Sequence, residues 1–267
     1  GQCHPAYAVS ALMRAKHALI IGDVHQLEPI FSLSLDDEKR VQKATRIHLE
    51  SQKGILFRVY EGCGNSAQMI GDRAFEHPPK LTDHYRSQPG LIEFCDQLCE
   101  YELSVHTPTR QLAPSSKALK APMLLTSVKG VQQRSRGSWY NEVEVEGVLQ
   151  WVFYLLQHEI SPQQMAILTP YLGQLDLLRS SLHRRGLLPF DHSGTDPSHA
   201  DGISIGTVHR FQGGEREIII YSPVITMPRS LHFQNQRVNL LNVAVSRARQ
   251  HFITVGDQEV LAKGRYT

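Results

Sequence analysis

The chain has 267 residues, 41% of them hydrophobic and 20% charged, with a formal net charge of +2. This is ordinary for a globular protein with one or two cores, and the mildly basic balance permits nucleic-acid binding in a groove without requiring it. No apolar run approaches the roughly 20 residues of a membrane span, and the four cysteines form no C-x-x-C pair, which excludes a zinc ribbon or a thioredoxin-like motif.

In chain order, the apolar run HALIIGD (17–23), ended by Gly-Asp, is expected as a buried parallel strand with its C-terminal turn. Residues 33–77 mix charges with glycines and read as helix plus surface insertion. From Pro89, Leu91, Phe94, Cys95 and Leu98 recur at i, i+3, i+4 and i+7, the period of an amphipathic helix. Cys95 and Cys99 fall in that helix as half-buried thiols rather than metal ligands, and no metal site is expected. The cysteines together suit a reducing, intracellular setting, taken as cytoplasmic.

Residues 104–138 read as loop interrupted by a strand at MLLTSV (123–128). Asn141, three residues before Glu144, is placed to cap a helix striped by Val145, Val148, Leu149, Val152, Phe153 and Leu156. MAILTPY (165–171) is a strand leading into a helix striped by Leu175, Leu178 and Leu182. A loop (185–202) then precedes ISIGTV, IIIYSPVIT, a helix over 239–249 and the strand HFITVGD. Strands alternating with helices indicate an α/β fold with a mainly parallel sheet flanked by helices. Ligands bind beyond the carboxyl ends of such strands, which directs attention to Asp23, Gln26, Thr169 to Tyr171 and the turn at 207–217.

Four stretches carry candidate chemistry. In GDVHQLEP (22–29), Asp23 is an acceptor, and the Gln26 amide can both donate and accept, as a phosphate oxygen and a water together require. In LTDHYRSQPG (81–90), Tyr85 and Arg86 precede a helix start, and the guanidinium fork of Arg86 suits phosphate charge that grows during transfer. In LLNVAVSRARQ (240–250), a helix would put Asn242, Ser246 and Arg249 on one face, with Arg247 to one side. In TVHRFQGGERE (207–217), Gly213 and Gly214 let backbone N–H groups approach a ligand, Glu215 can accept from ribose hydroxyls, and Thr207 can bond a phosphate. Taken singly, these stretches are equally a capped turn, a surface salt bridge, a solvated helix face and a plain turn.

Taken together, in this order, they resemble the C-terminal part of superfamily 1 helicases, in the group of the RNA-surveillance helicase and the replication nuclease-helicase. GDVHQLEP resembles motif III, LTDHYRSQPGLIEF motif IV, WYNEVEVEGV the Asn-x-x-Glu segment after it, AILTPYLGQ the I-x-T-P-Y-x-x-Q strand end, TVHRFQGGE motif V and LNVAVSRAR motif VI. The resemblance implies the end of a first RecA-like domain over 1–79, carrying an insertion, and a second RecA-like domain over 80–267. It implies ATP and Mg²⁺ bound between the two, with Gln26 sensing the γ-phosphate and Arg86 and Arg247 acting as arginine fingers. Asp23, Tyr85, Gly213 and Glu215 would meet the nucleotide, Glu215 at the ribose. Thr169, Pro170, Tyr171, Thr207 and His209 would line a track for single-stranded DNA or RNA. The glycine turn would thus serve two ligands and couple them.

The chain also departs from the family pattern. It contains no Gly-Lys dipeptide, so the phosphate loop is missing, and so is the acidic pair that holds Mg²⁺. Gly1-Gln2 resembles the position just after that pair, which implies a first RecA-like domain upstream as the partner of these residues and an inactive fragment without it. Leu240 stands where many relatives carry a basic residue. A nucleic-acid-binding scaffold with a decayed nucleotide site is the competing expectation.

Overall fold

A computed structural model of the chain describes residues 3–29, 37, 40, 66–75, 78–108, 118–188, 202–211, 213–235 and 237–265. Most of the insertion expected within 33–77 and of the loop at 185–202 lies outside them. The chain divides into two compact units, Gly1–Leu81 and Thr82–Thr267.

The first unit contributes two eight-residue helices, α1 (Pro5–Leu12) and α2 (Ala67–Ala74). Ser66 caps α2, its hydroxyl accepting from the Met69 N–H at 3.1 Å, and the Ala67 N–H donates to the Cys3 carbonyl at 2.8 Å. The strand expected at HALIIGD is absent: Leu19 is 83% and Ile21 80% exposed. Of its apolar residues only Ile20 turns inward, its Cδ1 lying 3.0 Å from where a Cβ on Gly71 would stand. A strand needs at least one neighbouring strand to pair its backbone, and the described residues of this unit include no other strand.

The second unit runs β1 (Asp83–His84), α3 (Pro89–Cys99), β2 (Ser104–Val105), β3 (Met123–Ser127), β4 (Gln133–Ser135), β5 (Ser138–Tyr140), α4 (Glu142–Gln157), β6 (Met165–Thr169) and α5 (Leu172–Arg184). It continues through β7 (Ser204–Thr207), β8 (Arg216–Tyr221), α6 (Leu231–Asn235), α7 (Val238–Ser246), β9 (Ala248–Gly256) and α8 (Gln258–Leu261). Five strands form one parallel sheet in the order β3-β9-β8-β6-β7. The fold is therefore the α/β class that the alternation indicates. Met165, Ile167, Ile218, Ile220, Ile253 and Val255 join Val148, Leu149, Val152, Leu155, Leu175, Leu178 and Leu182 of α4 and α5 in one core. The intervening residues Ala166, Leu168, Ile219, Tyr221 and Phe252 are buried as well. That explains the unbroken apolar runs: a parallel sheet is covered on both faces. No described helix is long and apolar enough to cross a membrane.

In the second unit, three helices depart from the sequence expectation. In α3 the buried set is Leu91, Ile92, Cys95 and Cys99, with Phe94 and Leu98 only half-buried. The two cysteine thiols are thus inside the fold, and burial pushes the Cys95 thiol up to about 12. In α4 the fifth apolar contact is Leu155, while Phe153 is 40% exposed and Leu156 packs at the margin. The face is set by Gly147, where an added Cβ would stand 2.6 Å from Val255 Cγ1, so the helix lies close on β9.

The third correction concerns the helix expected over 239–249. It ends at Ser246, and Ala248 begins a nine-residue strand. Pairing with both β3 and β8 outweighs the helical continuation of the sequence, as tertiary context commonly does. Arg249 therefore shares no helical face with Asn242 and Ser246.

Candidate functional site

Because β7 and β8 are both parallel to β6, the chain must return from the carboxyl edge of the sheet to its amino edge between them. Residues 208–215 make that passage, joining Thr207, the last residue of β7, to Arg216, the first of β8. Gly213 has φ of +89°, a left-handed conformation in which any side chain is strained. Phe211 is buried, and Arg216 lies over its ring at 5.9 Å. The glycine turn thus links the two edges of the sheet.

At the amino edge lies a pocket of about 660 Å³ lined by Asp83, His84, Tyr85, Arg86, Thr107, Glu215, Glu217, Arg249 and Gln250. The turn at 207–217 was expected beyond the carboxyl ends of the strands. Its Glu215 is found here instead, with Tyr85 and Arg86 and beside the start of β8 and β9, because the return passage delivers it to this edge.

Glu215 is the hub. Its carboxylate accepts from Arg86 Nε at 2.9 Å and pairs with Arg249, which also faces Glu217 at 3.6 Å. These groups are 23–50% exposed, so the pairs hold only about 0–1 kcal/mol each and can exchange for a stronger anion. Tyr85 is 71% exposed and stacks on His106 at 4.9 Å and 16°. His106 is held in turn by Asp83 at 2.6 Å, and β1 and β2 run parallel to bring the two together. His84 Nε2 accepts the Ser87 N–H at 2.8 Å, so that nitrogen carries no proton. Burial, and then the Arg86 charge, lower the His84 pKa, which favours the neutral imidazole.

Arg247 does not line this pocket. It is 4% exposed and donates from Nε to the Val243 carbonyl at 3.2 Å, from Nη1 to the Gly214 carbonyl at 3.4 Å and from Nη2 to Ser246 Oγ at 3.1 Å. Its grip on Gly214 attaches it to the residue next to Glu215. Leu240 is 1% exposed, so a basic residue there would bury a charge. Gln250, Asp83 and His106 were not singled out from the sequence, and Arg249 was placed on a helix face with Asn242 and Ser246 rather than in this pocket. Only the β1–β2 pairing brings His106 to Tyr85.

The opposite, carboxyl edge carries the other candidates. Thr169 and Thr207 are paired at the ends of β6 and β7, and both are buried. Their hydroxyls accept from local N–H groups, Thr169 from Tyr171 and Thr207 from Arg210, each at 3.4 Å. Pro170, Tyr171 and His209 are half-buried. Burial, followed by the nearby Arg237 charge, lowers the His209 pKa.

Beneath this edge the Asn141 cap is realised: its side chain accepts the Val143 N–H, and its amide donates to Glu144 at 3.1 Å. Glu144 is fully buried and also accepts from Ser222 Oγ at 2.6 Å and the Val224 N–H at 2.9 Å. Gln174 closes the network, donating to the Asn141 carbonyl and to Ser222 Oγ. Burial raises the Glu144 carboxyl to about 7, against these hydrogen bonds, which act to lower it.

In the first unit, Asp23 and Gln26 share a turn in which Asp23 Oδ1 accepts the His25 N–H at 2.8 Å and the Asp23 carbonyl the Gln26 N–H at 3.3 Å. Both side chains are half-buried. Among the described residues, no group of three or more His, Cys, Asp or Glu side chains could hold a metal ion.

Residues 68–259 match a family described as an AAA domain. The chain is 30% identical to the regulator of nonsense transcripts 1 homolog of Drosophila melanogaster, over 97% of this chain and 20% of that protein. It is 28% identical to regulator of nonsense transcripts 1 of Dictyostelium discoideum, over 97% of this chain and 18% of that one. It is 25% identical to ATP-dependent helicase upf1 of Schizosaccharomyces pombe, over 97% and 26% respectively. The chain therefore spans about a fifth to a quarter of the length of these curated relatives.

Proposed function

We propose, for a chain that belongs to the AAA-domain family and to the C-terminal region of superfamily 1 helicases, that it forms part of an ATP-driven motor on single-stranded nucleic acid. The observation that carries this reading is the course of the glycine turn, from Thr207 at one edge of the sheet to Glu215 in the pocket at the other. A strand gripped at the carboxyl edge and a nucleotide at the amino edge would then pull on one backbone segment.

In this reading Tyr85 stacks on the base, and Glu215 exchanges its guanidinium partners for ribose hydroxyls. Arg86, released from Glu215, meets the phosphates, and Arg247 stabilises charge at the transferred phosphoryl group. Mg²⁺ would supply further neutralisation of the phosphates. The described residues offer it no ligand cluster, so the roles assigned here belong to side chains alone. Lacking any Gly-Lys dipeptide, residues 1–267 by themselves are expected to hydrolyse no ATP. The names of the relatives favour RNA as the first strand to test.

The test is strand separation by the full-length protein on a duplex with a single-stranded tail. Unwinding with ATP, and none with a non-hydrolysable analogue, is the expected result. Unwinding that proceeds equally with the analogue would reject a motor. Within the same assay series, Tyr85→Ala is expected to raise KM for ATP by about tenfold and leave kcat within a factor of two, since base stacking contributes roughly 1–3 kcal/mol. An unchanged KM would remove Tyr85 from the site.

A further inference from the structure

Between β8 and α7 the chain inserts a 3-10 turn (Pro228–Ser230) and α6. Leu231 of α6 packs with Ile225, Val260 and Leu261 in a small core of its own, which fixes the helix to the body of the unit. The same helix leaves Phe233 half-buried, 5.7 Å from the Tyr171 ring at 35°. The Arg237 guanidinium lies over Phe233 at 4.9 Å and is itself exposed. Arg237 also acts electrostatically on both Tyr171 and His209. Gln234, next along α6, is 6% exposed, and its Oε1 has no hydrogen-bond partner. An acceptor left unpaired in this way is uncommon inside a fold.

Two aromatic rings capped by a cation make a poor core and a good surface for a flat, electron-rich, anionic ligand. The patch adjoins Thr169 and Pro170 at the end of β6, the edge assigned above to the strand. We infer that Tyr171, Phe233 and Arg237 form a platform on which an unpaired nucleobase of single-stranded nucleic acid stacks. The inference rests on the strand-binding reading and adds two residues and a mode of recognition to it. A base extends the guanidinium–ring stack by one member, and the N–H groups at the guanidinium edge remain available to the adjoining phosphate. Recognition of this kind tolerates any base, because every base has a π face.

The experiment is equilibrium binding of the full-length protein, without ATP, to a labelled single-stranded oligouridylate and to an abasic strand of equal length. The wild-type protein is expected to prefer the strand that carries bases. Phe233→Ala and Phe233→Leu are both expected to lose that preference, weakening oligouridylate binding about tenfold and leaving abasic binding unchanged. Arg237→Ala is expected to weaken both and to lower the salt dependence of binding. The leucine variant keeps apolar volume in the patch, so its failure to retain the preference separates stacking from a loss of folding. Full base preference in both Phe233 variants would overturn the platform. A wild-type protein that binds neither strand would overturn the strand-binding reading itself.

Discussion

Arg247→Ala in the full-length protein is expected to lower strand-stimulated ATP turnover by on the order of 10³–10⁵, the range associated with arginine fingers. The argument joins a sequence resemblance to a specific geometry. Arg247 follows α7 directly and is buried, with its guanidinium divided between the Val243 and Gly214 carbonyls and Ser246 Oγ. Gly214 precedes the pocket hub Glu215, so in the proposed role Arg247 would have to release the turn to reach a phosphate. Its loss therefore removes both a cation and the hold on the coupling segment.

Arg249, in contrast, already lies in the pocket but is shared by two carboxylates. Arg249→Ala is expected to change KM for ATP within about tenfold, as befits pairs of such exposure. Arg247→Lys, which keeps charge and loses the planar fork, should stay near the alanine variant. The reverse order, with Arg249 indispensable and Arg247 nearly silent, would reassign the finger.

The second large effect concerns stability. Glu144→Ala is expected to destabilise the second unit by about 2–6 kcal/mol, because it strands the Val224 N–H and the Asn141 amide, at roughly 1–3 kcal/mol for each buried group left unpaired. The wild-type carboxyl also imposes a pH dependence. Its pKa in the folded protein, about 7, lies above its ordinary value of 4.5, so between those limits the folded state holds a proton that the unfolded state has released. Stability from this group is then fully present below about pH 4.5 and is lost as pH rises through 7, a change on the order of 3 kcal/mol.

Glu144→Gln should abolish that slope at the cost of about one hydrogen bond, since its amide nitrogen must face a donor. The two tryptophans, Trp139 and Trp151, both belong to the second unit, so fluorescence-detected urea unfolding at pH 5 to 8 reads this unit alone. A wild-type midpoint that rises with pH over that window, relative to Glu144→Gln, would contradict the assignment.

What the sequence disclosed follows from how each element is stabilised. Strand β6 and helix α5 were legible because an apolar run ends at Thr-Pro and a leucine stripe then begins. The Asn141 cap was legible because capping is local. HALIIGD shows the limit of this approach, since an apolar run is a strand only where other strands pair with it. The end of α7 was misjudged because Ala248 and Arg249 fit a helix as well as a strand, and the ladders to β3 and β8 decide between them. That single boundary put Arg249 on a helix face instead of in the pocket. Phe233 and Arg237 stayed hidden because a five-residue helix shows no period. The pocket itself is a consequence of topology: parallel strands on either side of β6 oblige the glycine turn to cross the sheet.

The most direct test of the account is the ATP turnover of the full-length protein with and without saturating single-stranded RNA or DNA. If the turn from Thr207 to Glu215 couples strand to nucleotide, one of the two strands raises kcat several-fold. Turnover that is identical with and without either strand, in a protein that binds the strand, would contradict the coupling. Strand binding with no turnover at all would leave a scaffold in place of a motor.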